Sequence, residues 1–253
     1  NQTEQRNKER IIKQNLKYNT DPINLNEIQS YLEEIKRKES PRARRHPLKC
    51  FMEMDDDNLN EVMTFLNKWW RAEHIPDEEL KARVVMIYKK GSTSNIDNYR
   101  PISLINSMTK MFAAILKTRI AAVIDPYLHK TQYGFRKEKS TTQAIHIVRR
   151  LIDLGERTAK NPGEFTQLIL LDWEKAFDKV DHEALFESLT RMGIDDKLIR
   201  LTKQLLQNPK FCVEMEGRTS AWKTQTTGIR QGCTLSPYLF IILMTVIFHD
   251  VHD

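Results

Sequence analysis

The sequence is poor in cysteine, with only Cys50, Cys212 and Cys233 among its 253 residues, far apart in the chain. An odd number of widely spaced cysteines without a Cys-x-x-Cys pair supports neither a disulfide framework nor a zinc site. The low cysteine content therefore predicts an intracellular, reducing location, although it does not separate cytoplasm, nucleus and organelle.

Long hydrophobic runs are also missing. The longest apolar stretch, residues 238–248, is much shorter than the roughly 20 residues that a membrane-spanning helix needs, so it predicts a buried core helix. The first twenty residues are polar and carry no apolar segment typical of a secretory signal. We therefore expect no membrane partner. The chain begins with Asn1 and stops at Asp253, close behind the apolar stretch, and we expect both ends to be cuts in a longer protein.

The charge balance is moderately basic. The formal net charge of +6 is compatible with a polyanionic partner but does not require one. Residues 36–47, "KRKESPRARRHP", form a basic run that is interrupted by Pro41 and Pro47. This run is either a solvated loop or a segment that contacts phosphates, and the residues themselves leave both interpretations open.

Hydrophobic periodicity predicts an α+β chain in which helices dominate. Domain organisation is expected to be an N-terminal helical extension with a basic loop, residues 1–75, and a second unit, residues 76–253. Trp69 and Trp70 follow a helical apolar stripe and are predicted to lie in the core, and Asn58 with Glu61 has the spacing of a capping box. Helices are expected near 28–35, 58–70, 107–124, after 140–142, at 181–192, at 196–206 and after 236; strands are expected at 82–91 and 168–172, with a hairpin around Gly217.

Asp172 stands out because it follows four consecutive apolar residues, 168–171. A carboxylate at the end of a buried strand is a common place for a Mg²⁺ ligand, since that ion prefers carboxylate and phosphate oxygens. The alternative is that Asp172 only closes a turn. Asp178 and Asp181 are expected to serve the turn and the N-cap of the next helix.

Four stretches, taken together and in this order, resemble the reverse transcriptases of non-LTR retrotransposons, which are relatives of group II intron reverse transcriptases. The similarity covers about residues 80 to 248, and it is specific only as a combination. The four motifs are N-Y-R-P-I-S-L (98–104), Q-x-G-F-R (132–136), D-x-x-x-A-F-D (172–178) and Q-G-C-x-L-S-P (231–237).

The resemblance implies a right-hand polymerase in which residues 76–253 form the fingers and an incomplete palm. It implies an RNA-directed DNA polymerase whose partners are an RNA template, a DNA primer and deoxynucleoside triphosphates. Asp172 would then be a catalytic ligand of Mg²⁺ in a two-metal nucleotidyl transfer.

The resemblance also assigns nucleotide-binding roles. Arg100 would meet the triphosphate, since a guanidinium suits phosphate oxygens, and Lys89 or Lys90 would assist it. Phe177 would be the sugar gate that rejects a ribose 2′-hydroxyl, although packing in the core remains an alternative. Gln231 and Gly232 would form the turn that closes over the nucleotide and the template base.

Gly134, Phe135 and Arg136 would lie along the template path of such an enzyme. A structural role for Phe135 is an equal alternative at this stage. The Lys and Arg residues between 110 and 150 fit a channel that holds an RNA–DNA duplex by its backbone.

The sequence departs from the family pattern in two places. The family's glycine-rich Lys-Ser-Pro-Gly segment corresponds here to "ESPRARRHP", and the second catalytic block, an aromatic residue followed by Ala-Asp-Asp, does not occur in the 253 residues. Asp250 and Asp253 are expected to be the frayed end of the last helix. The chain alone is therefore expected to be inactive and to need a missing C-terminal palm and thumb segment. The alternative is a non-catalytic remnant that binds RNA or acts as a scaffold.

Overall fold

The computed structural model describes residues 9–38, 48–158, 167–215 and 217–252, so most of the basic run and Asp253 lie outside the described residues. The predicted α+β class with dominant helices is confirmed. The helices are α1 (Leu25–Lys38), α2 (Lys49–Met52), α3 (Asp56–Ala72), α4 (Ser107–Ile124), α5 (Thr141–Thr158), α6 (His182–Arg191), α7 (Asp196–Leu206) and α8 (Ser236–His252). The strands are β1 (Ala82–Tyr88), β2 (Tyr99–Ile105), β3 (Lys210–Met215), β4 (Arg218–Thr219) and β5 (Lys223–Thr224). Among the described helices, none is long and apolar enough to cross a membrane.

Helix α3 begins earlier than the capping-box spacing predicted. Asp55 is its N-cap, because the Asp55 carboxylate accepts a hydrogen bond from the Asn58 amide at 2.9 Å. A carboxylate at this position also interacts favourably with the positive end of the helix dipole. The prediction that Trp69 and Trp70 are core residues is confirmed, since both are buried and their rings lie 5.7 and 6.1 Å from the ring of Phe112 on α4.

Arg119 on α4 attaches the N-terminal segment to the rest of the chain. Its guanidinium donates to both carboxylate oxygens of Glu27 at 2.7 Å and lies 4.4 Å from the ring of Trp70. It also donates to the backbone carbonyls of Asn19, Asp21 and Pro22. The residue is only 4% exposed, so this cation is satisfied almost entirely by protein oxygens and one aromatic face.

The two predicted units share one hydrophobic core. Ile28 of α1, Trp70 of α3, Leu116 of α4 and Leu239 of α8 all belong to the same buried cluster. The boundary at residue 75 therefore does not coincide with a break in the core, and the proposed division stays a prediction.

The sheet has the strand order β2-β1-β3-β4, with β5 also paired to β3. Strand β1 is antiparallel to β2, with Val85 opposite Ile102, and parallel to β3. The sequence did not indicate β2 as a strand, since it contains Pro101. The sheet accommodates this proline because β2 is an edge strand, where a missing backbone donor is tolerated.

The prediction of a strand at residues 168–172 is wrong. Residues 167–173 form no strand, and Ile169, Leu170 and Leu171 are 79%, 84% and 80% exposed. An apolar run becomes a strand only when a neighbouring strand accepts its backbone hydrogen bonds and its faces are covered. The described residues offer this segment no such partner. Helix α5 likewise leaves Ile145 and Leu151 more than half exposed.

The C-terminal helices are fixed by caps and one ion pair. Asp181 caps α6 as predicted, accepting from the Ala184 amide at 2.8 Å. Asp250 is not a frayed end: its two carboxylate oxygens accept from Arg191 at 2.6 and 2.7 Å. Hydrogen bonding to Arg191 lowers the pKa of Asp250 below its ordinary value. Because Arg191 lies at the end of α6, this pair holds the end of α8 against it.

We expect Arg119→Met to lower the free energy of unfolding by about 3 kcal/mol, because it leaves the Glu27 carboxylate without its cation. Urea denaturation measures this change. The control is Arg83→Met, which removes an exposed cation paired with Glu214 at 3.5 Å and should cost about 1 kcal/mol or less. Equal losses in the two variants would show that Arg119 does not have the anchoring role described above.

Candidate active site

The segment 228–232 connects two distant parts of the chain. The Ile229 amide donates to the carbonyl of Phe177, and the Gly228 amide donates to the carbonyl of Val180, both at 2.8 Å. The Gln231 carbonyl in turn accepts from the amide of Ser103 on β2 at 2.7 Å. This segment, called here the 228–232 turn, therefore fastens the Phe177 loop to strand β2.

Gly232 allows the close approach of the turn to β2. Its φ is +118°, and a Cβ built on it would lie 2.5 Å from the carbonyl oxygen of Ser103. Both the backbone conformation and the space therefore require glycine. The neighbouring side chain, Gln231, reaches the carboxylate of Asp178 at 3.4 Å, a long contact that leaves the amide able to turn to another partner.

Arg100 lies on β2, three residues before Ser103, and opposite Ile87 of β1. Its side chain is exposed and makes no hydrogen bond or ion pair with any residue that the structure describes. Lys89 and Lys90 follow directly after β1 and are also exposed. The end of the β1–β2 hairpin thus presents cations whose charge is not neutralised by a described neighbour, as a phosphate-binding surface requires.

Phe177 is half-buried between two other aromatic rings. Its ring centroid lies 5.3 Å from that of Phe240 on α8 and 6.3 Å from that of Phe135. The contact with Phe240 fixes the ring against the core, so the packing interpretation is satisfied. The same contact also holds the ring in one place next to the 228–232 turn, as a sugar gate would need.

Asp172 is exposed and lies in the extended segment ahead of the turn at residues 174–179. The described residues contain no group of three or more His, Cys, Asp or Glu side chains that could hold a metal ion. Mg²⁺ is commonly bound by one or two carboxylates together with water and substrate phosphates, so Asp172 is chemically suited to supply one ligand. The rest of a metal centre is not built by the described residues.

Arg136 points into the protein in this structure. Its guanidinium donates to the Asp125 carboxylate and the Asp125 carbonyl at 2.8 Å each, and to the His129 carbonyl at 3.1 Å. The Tyr238 hydroxyl donates to the same carboxylate at 3.1 Å. Because its donors are engaged by Asp125 and His129, Arg136 fixes the end of α4 in this structure.

Phe135 and Gly134 stay on the surface next to Arg136. Phe135 is 58% exposed and has a left-handed φ of +61°, which is unusual for a bulky residue. The template-path roles of Gly134, Phe135 and Arg136 are not tested by these contacts and stay predictions.

Sequence reasoning missed two residues that support the turn. The His182 Nε2 lies 2.7 Å from the carbonyl oxygen of Gly228. Arg230, inside the turn itself, is buried. No sequence pattern indicated a role for His182. For Arg230 the only signal was its position between an isoleucine and the Gln-Gly pair of the motif.

Comparison with known proteins identifies relatives of this chain. Residues 87–253 match the sequence profile of the family described as reverse transcriptase (RNA-dependent DNA polymerase). The RNA-directed DNA polymerase from mobile element jockey of Drosophila funebris is 28% identical over 225 residues, which are 88% of this chain and 24% of that protein. The Pol polyprotein from type-1 retrotransposable element R2 of Popillia japonica is 27% identical over 168 residues, 66% of this chain and 23% of that protein.

The chain spans about a quarter of the length of these curated relatives. Among solved structures, a partial Cas6-RT-Cas1–Cas2 complex aligns with a TM-score of 0.40 and 14% identity. That alignment covers 93% of this chain and 35% of the other chain.

We expect Gly232→Ala to destabilise the protein by about 1–3 kcal/mol more than Gly217→Ala, because its methyl group would collide with the Ser103 carbonyl. Gly217 is a matched control: its φ is also positive, at +75°, but a Cβ there would meet nothing within 4 Å. Urea denaturation of both variants gives the comparison. Equal destabilisation would mean that the turn can move away from β2 without cost.

Proposed function

This chain belongs to the reverse transcriptase (RNA-dependent DNA polymerase) family, and on that basis we propose that it forms the nucleotide-selecting part of an RNA-directed DNA polymerase. The proposed partners are an RNA template, a DNA primer and deoxynucleoside triphosphates. In the terms of a right-hand polymerase, the β1–β2 hairpin belongs to the fingers, and the Phe177 loop with α6 and α8 belongs to the front of the palm.

The observation that carries this proposal is the pair of hydrogen bonds that the 228–232 turn makes. Through Ile229 it holds the loop of Phe177, and through Gln231 it holds the strand of Arg100. The three elements assigned to nucleotide binding are therefore connected by backbone contacts although they are far apart in the sequence. Side chains held in this way are preorganised, which lowers the entropy cost of binding a substrate.

Each side chain has a simple task in this proposal. Arg100, with Lys89 or Lys90, binds the triphosphate, because its donors are not used by described residues. The Gln231–Gly232 backbone approaches the base and the sugar closely. Phe177, held by Phe240, occupies the space that a 2′-hydroxyl would need, which favours deoxynucleotides.

Reverse transcriptases are generally metal-dependent, and we propose Mg²⁺ with Asp172 as one carboxylate ligand. When bound, such ions lower the pKa of the attacking hydroxyl and neutralise charge on the transferred phosphate. Asp172 is a suitable ligand because it is exposed and its carboxylate accepts no hydrogen bond from a described residue. We propose that the second carboxylate comes from outside the described residues.

The exposure of segment 168–171 is evidence for the proposal that a further segment of the palm pairs with it. Three of its apolar side chains are about four-fifths exposed, and the segment has no strand partner among the described residues. A chain in this state is suited to receive an added strand. Since the curated relatives are about four times as long, we propose that a C-terminal palm and thumb segment pairs with it.

We also propose an intracellular, reducing location. Cys50, Cys212 and Cys233 form no disulfide bond in the described structure, and Cys212 is buried, where it behaves as a small apolar side chain.

A second candidate is a non-catalytic protein that binds RNA or acts as a scaffold. The observation that favours it is that the described residues contain no group of three or more acidic, His or Cys side chains that could hold a metal ion around Asp172. In that case the cations of the β1–β2 hairpin would hold RNA phosphates without any chemistry. The two candidates differ in whether Asp172 matters.

We expect Asp172→Asn to reduce primer extension at least about a hundredfold in the protein expressed from the gene that encodes these residues. The asparagine side chain is a weaker metal ligand than aspartate, which lowers extension. It keeps the same shape, and binding of an RNA–DNA duplex should therefore remain. The matched control is Asp77→Asn, which alters another exposed carboxylate and should leave extension unchanged. Absent wild-type extension would favour the non-catalytic candidate, whereas extension that survives Asp172→Asn would contradict the role of Asp172 as a metal ligand.

We expect Phe177→Ala to weaken the discrimination against ribonucleotides at least about tenfold, because the ring no longer fills the space beside the sugar. The measurement is the ratio of kcat/KM for a deoxynucleotide and the matching ribonucleotide. Phe177→Tyr keeps an aromatic ring and should retain the discrimination. If Phe177→Ala leaves this ratio unchanged, Phe177 has a packing role only.

A further inference from the structure

Arg230 is a buried cation with an unusual set of partners. The residue is 5% exposed and directly precedes Gln231. Its Nη2 donates to the backbone carbonyl of Leu80 and, at 3.5 Å, to that of Lys210, while its Nε has no hydrogen-bond partner among the described residues. Within the described part of the chain, no carboxylate pairs with it. It therefore differs from Arg119, which is equally buried but bound to Glu27.

Burying a guanidinium without a carboxylate partner is unfavourable for the free energy of folding. Transfer of the charge out of water costs free energy that neutral carbonyls return only in part. Burial lowers the pKa of Arg230 to about 10, so the side chain is still protonated at neutral pH. A methionine would occupy a similar volume without this cost. What methionine lacks is a donor that reaches two carbonyl oxygens.

Those two carbonyls lie at the beginning of adjacent strands. Leu80 is two residues before β1, and Lys210 is the first residue of β3. Since β1 and β3 are parallel neighbours, with Ala82 opposite Phe211, their starting ends lie side by side. The Arg230 side chain thus ties the 228–232 turn to the start of β1 and makes a long contact with the start of β3, while the Gln231 carbonyl ties the turn to β2.

We propose that Arg230 is a positioning residue that fixes the Gln231–Gly232 turn against β2 and thereby sets how the site closes over a nucleoside triphosphate. The cation does not touch the nucleotide; it acts through the backbone of the turn. The second half of this inference rests on the function proposed above, whereas the first half concerns the turn alone. The two halves are therefore tested by separate measurements.

The first test measures amide hydrogen exchange by NMR in the 253-residue chain. The Ser103 amide, which donates to Gln231, reports on the turn, and the Leu116 amide within α4 reports on the core. In Arg230→Met, the exchange rate of the Ser103 amide divided by that of the Leu116 amide should rise at least about fivefold. This rise corresponds to the free energy of roughly one hydrogen bond. Arg230→Lys keeps the charge and one donor, and it should restore part of the protection.

The control is Arg119→Met, which removes a second buried arginine whose hydrogen bonds go to Glu27 and to the backbone carbonyls of residues 19, 21 and 22. It should destabilise the whole chain but leave the Ser103 to Leu116 ratio unchanged. An unchanged ratio in Arg230→Met, or an equal rise in Arg119→Met, would overturn the positioning role. Because the readout is a ratio, general destabilisation alone cannot produce the expected result.

The second test measures steady-state primer extension in the longer protein expressed from the same gene. Arg230→Met should raise KM for deoxynucleoside triphosphate at least about fivefold, with kcat changed by no more than about twofold. A rise in Ser103 exchange with an unchanged KM would overturn the link to the nucleotide. Failure of the unaltered protein to extend a primer would reject the proposed function, and the exchange ratio would still decide the role of Arg230 in the turn.

Discussion

The hydrogen bond from the Ser103 amide to the Gln231 carbonyl is the contact on which the candidate site depends. Without it, the strand that carries Arg100 and the loop that carries Phe177 would have no backbone connection at this point. The bond is possible only because residue 232 has no side chain, so that two backbones can approach within the space of one methyl group. Gly232 therefore sets how closely the turn approaches β2, and Gly228, where a Cβ would lie 2.7 Å from the Asp178 carbonyl oxygen, does the same for the Phe177 loop.

Local patterns in the sequence predicted most of the helices. The limits of α4 and α7 and the Asp181 cap of α6 follow from apolar spacing and turn residues, both of which act within a few positions of the chain. Motif resemblance likewise indicated Phe177, Gln231 and Gly232. The structure shows how these residues are connected, because a backbone bond between distant segments leaves no local pattern.

The failures share one physical cause, which is that they depend on distant partners. Strand β2 was missed because Pro101 argues against a strand unless the strand lies at an edge. Residues 168–171 were expected to be a strand because they are apolar, but a strand also needs a neighbour. The ion pair of Arg136 with Asp125 was also not foreseen, because the sequence marked Asp125 only as the stop of a helix; the template-path role of Arg136 stays a prediction.

The exposed segment 168–171 has a consequence for how the protein is made. During synthesis, helices can form from local contacts, whereas this segment would stay exposed to water until the proposed partner strand is made. A stretch of four apolar residues in that state is prone to pair with copies of itself on neighbouring chains. Asp172 follows it directly and Lys175 lies three residues further on, and both bring charges that disfavour such stacking. The aspartate proposed for catalysis would thus also protect the nascent polypeptide against aggregation.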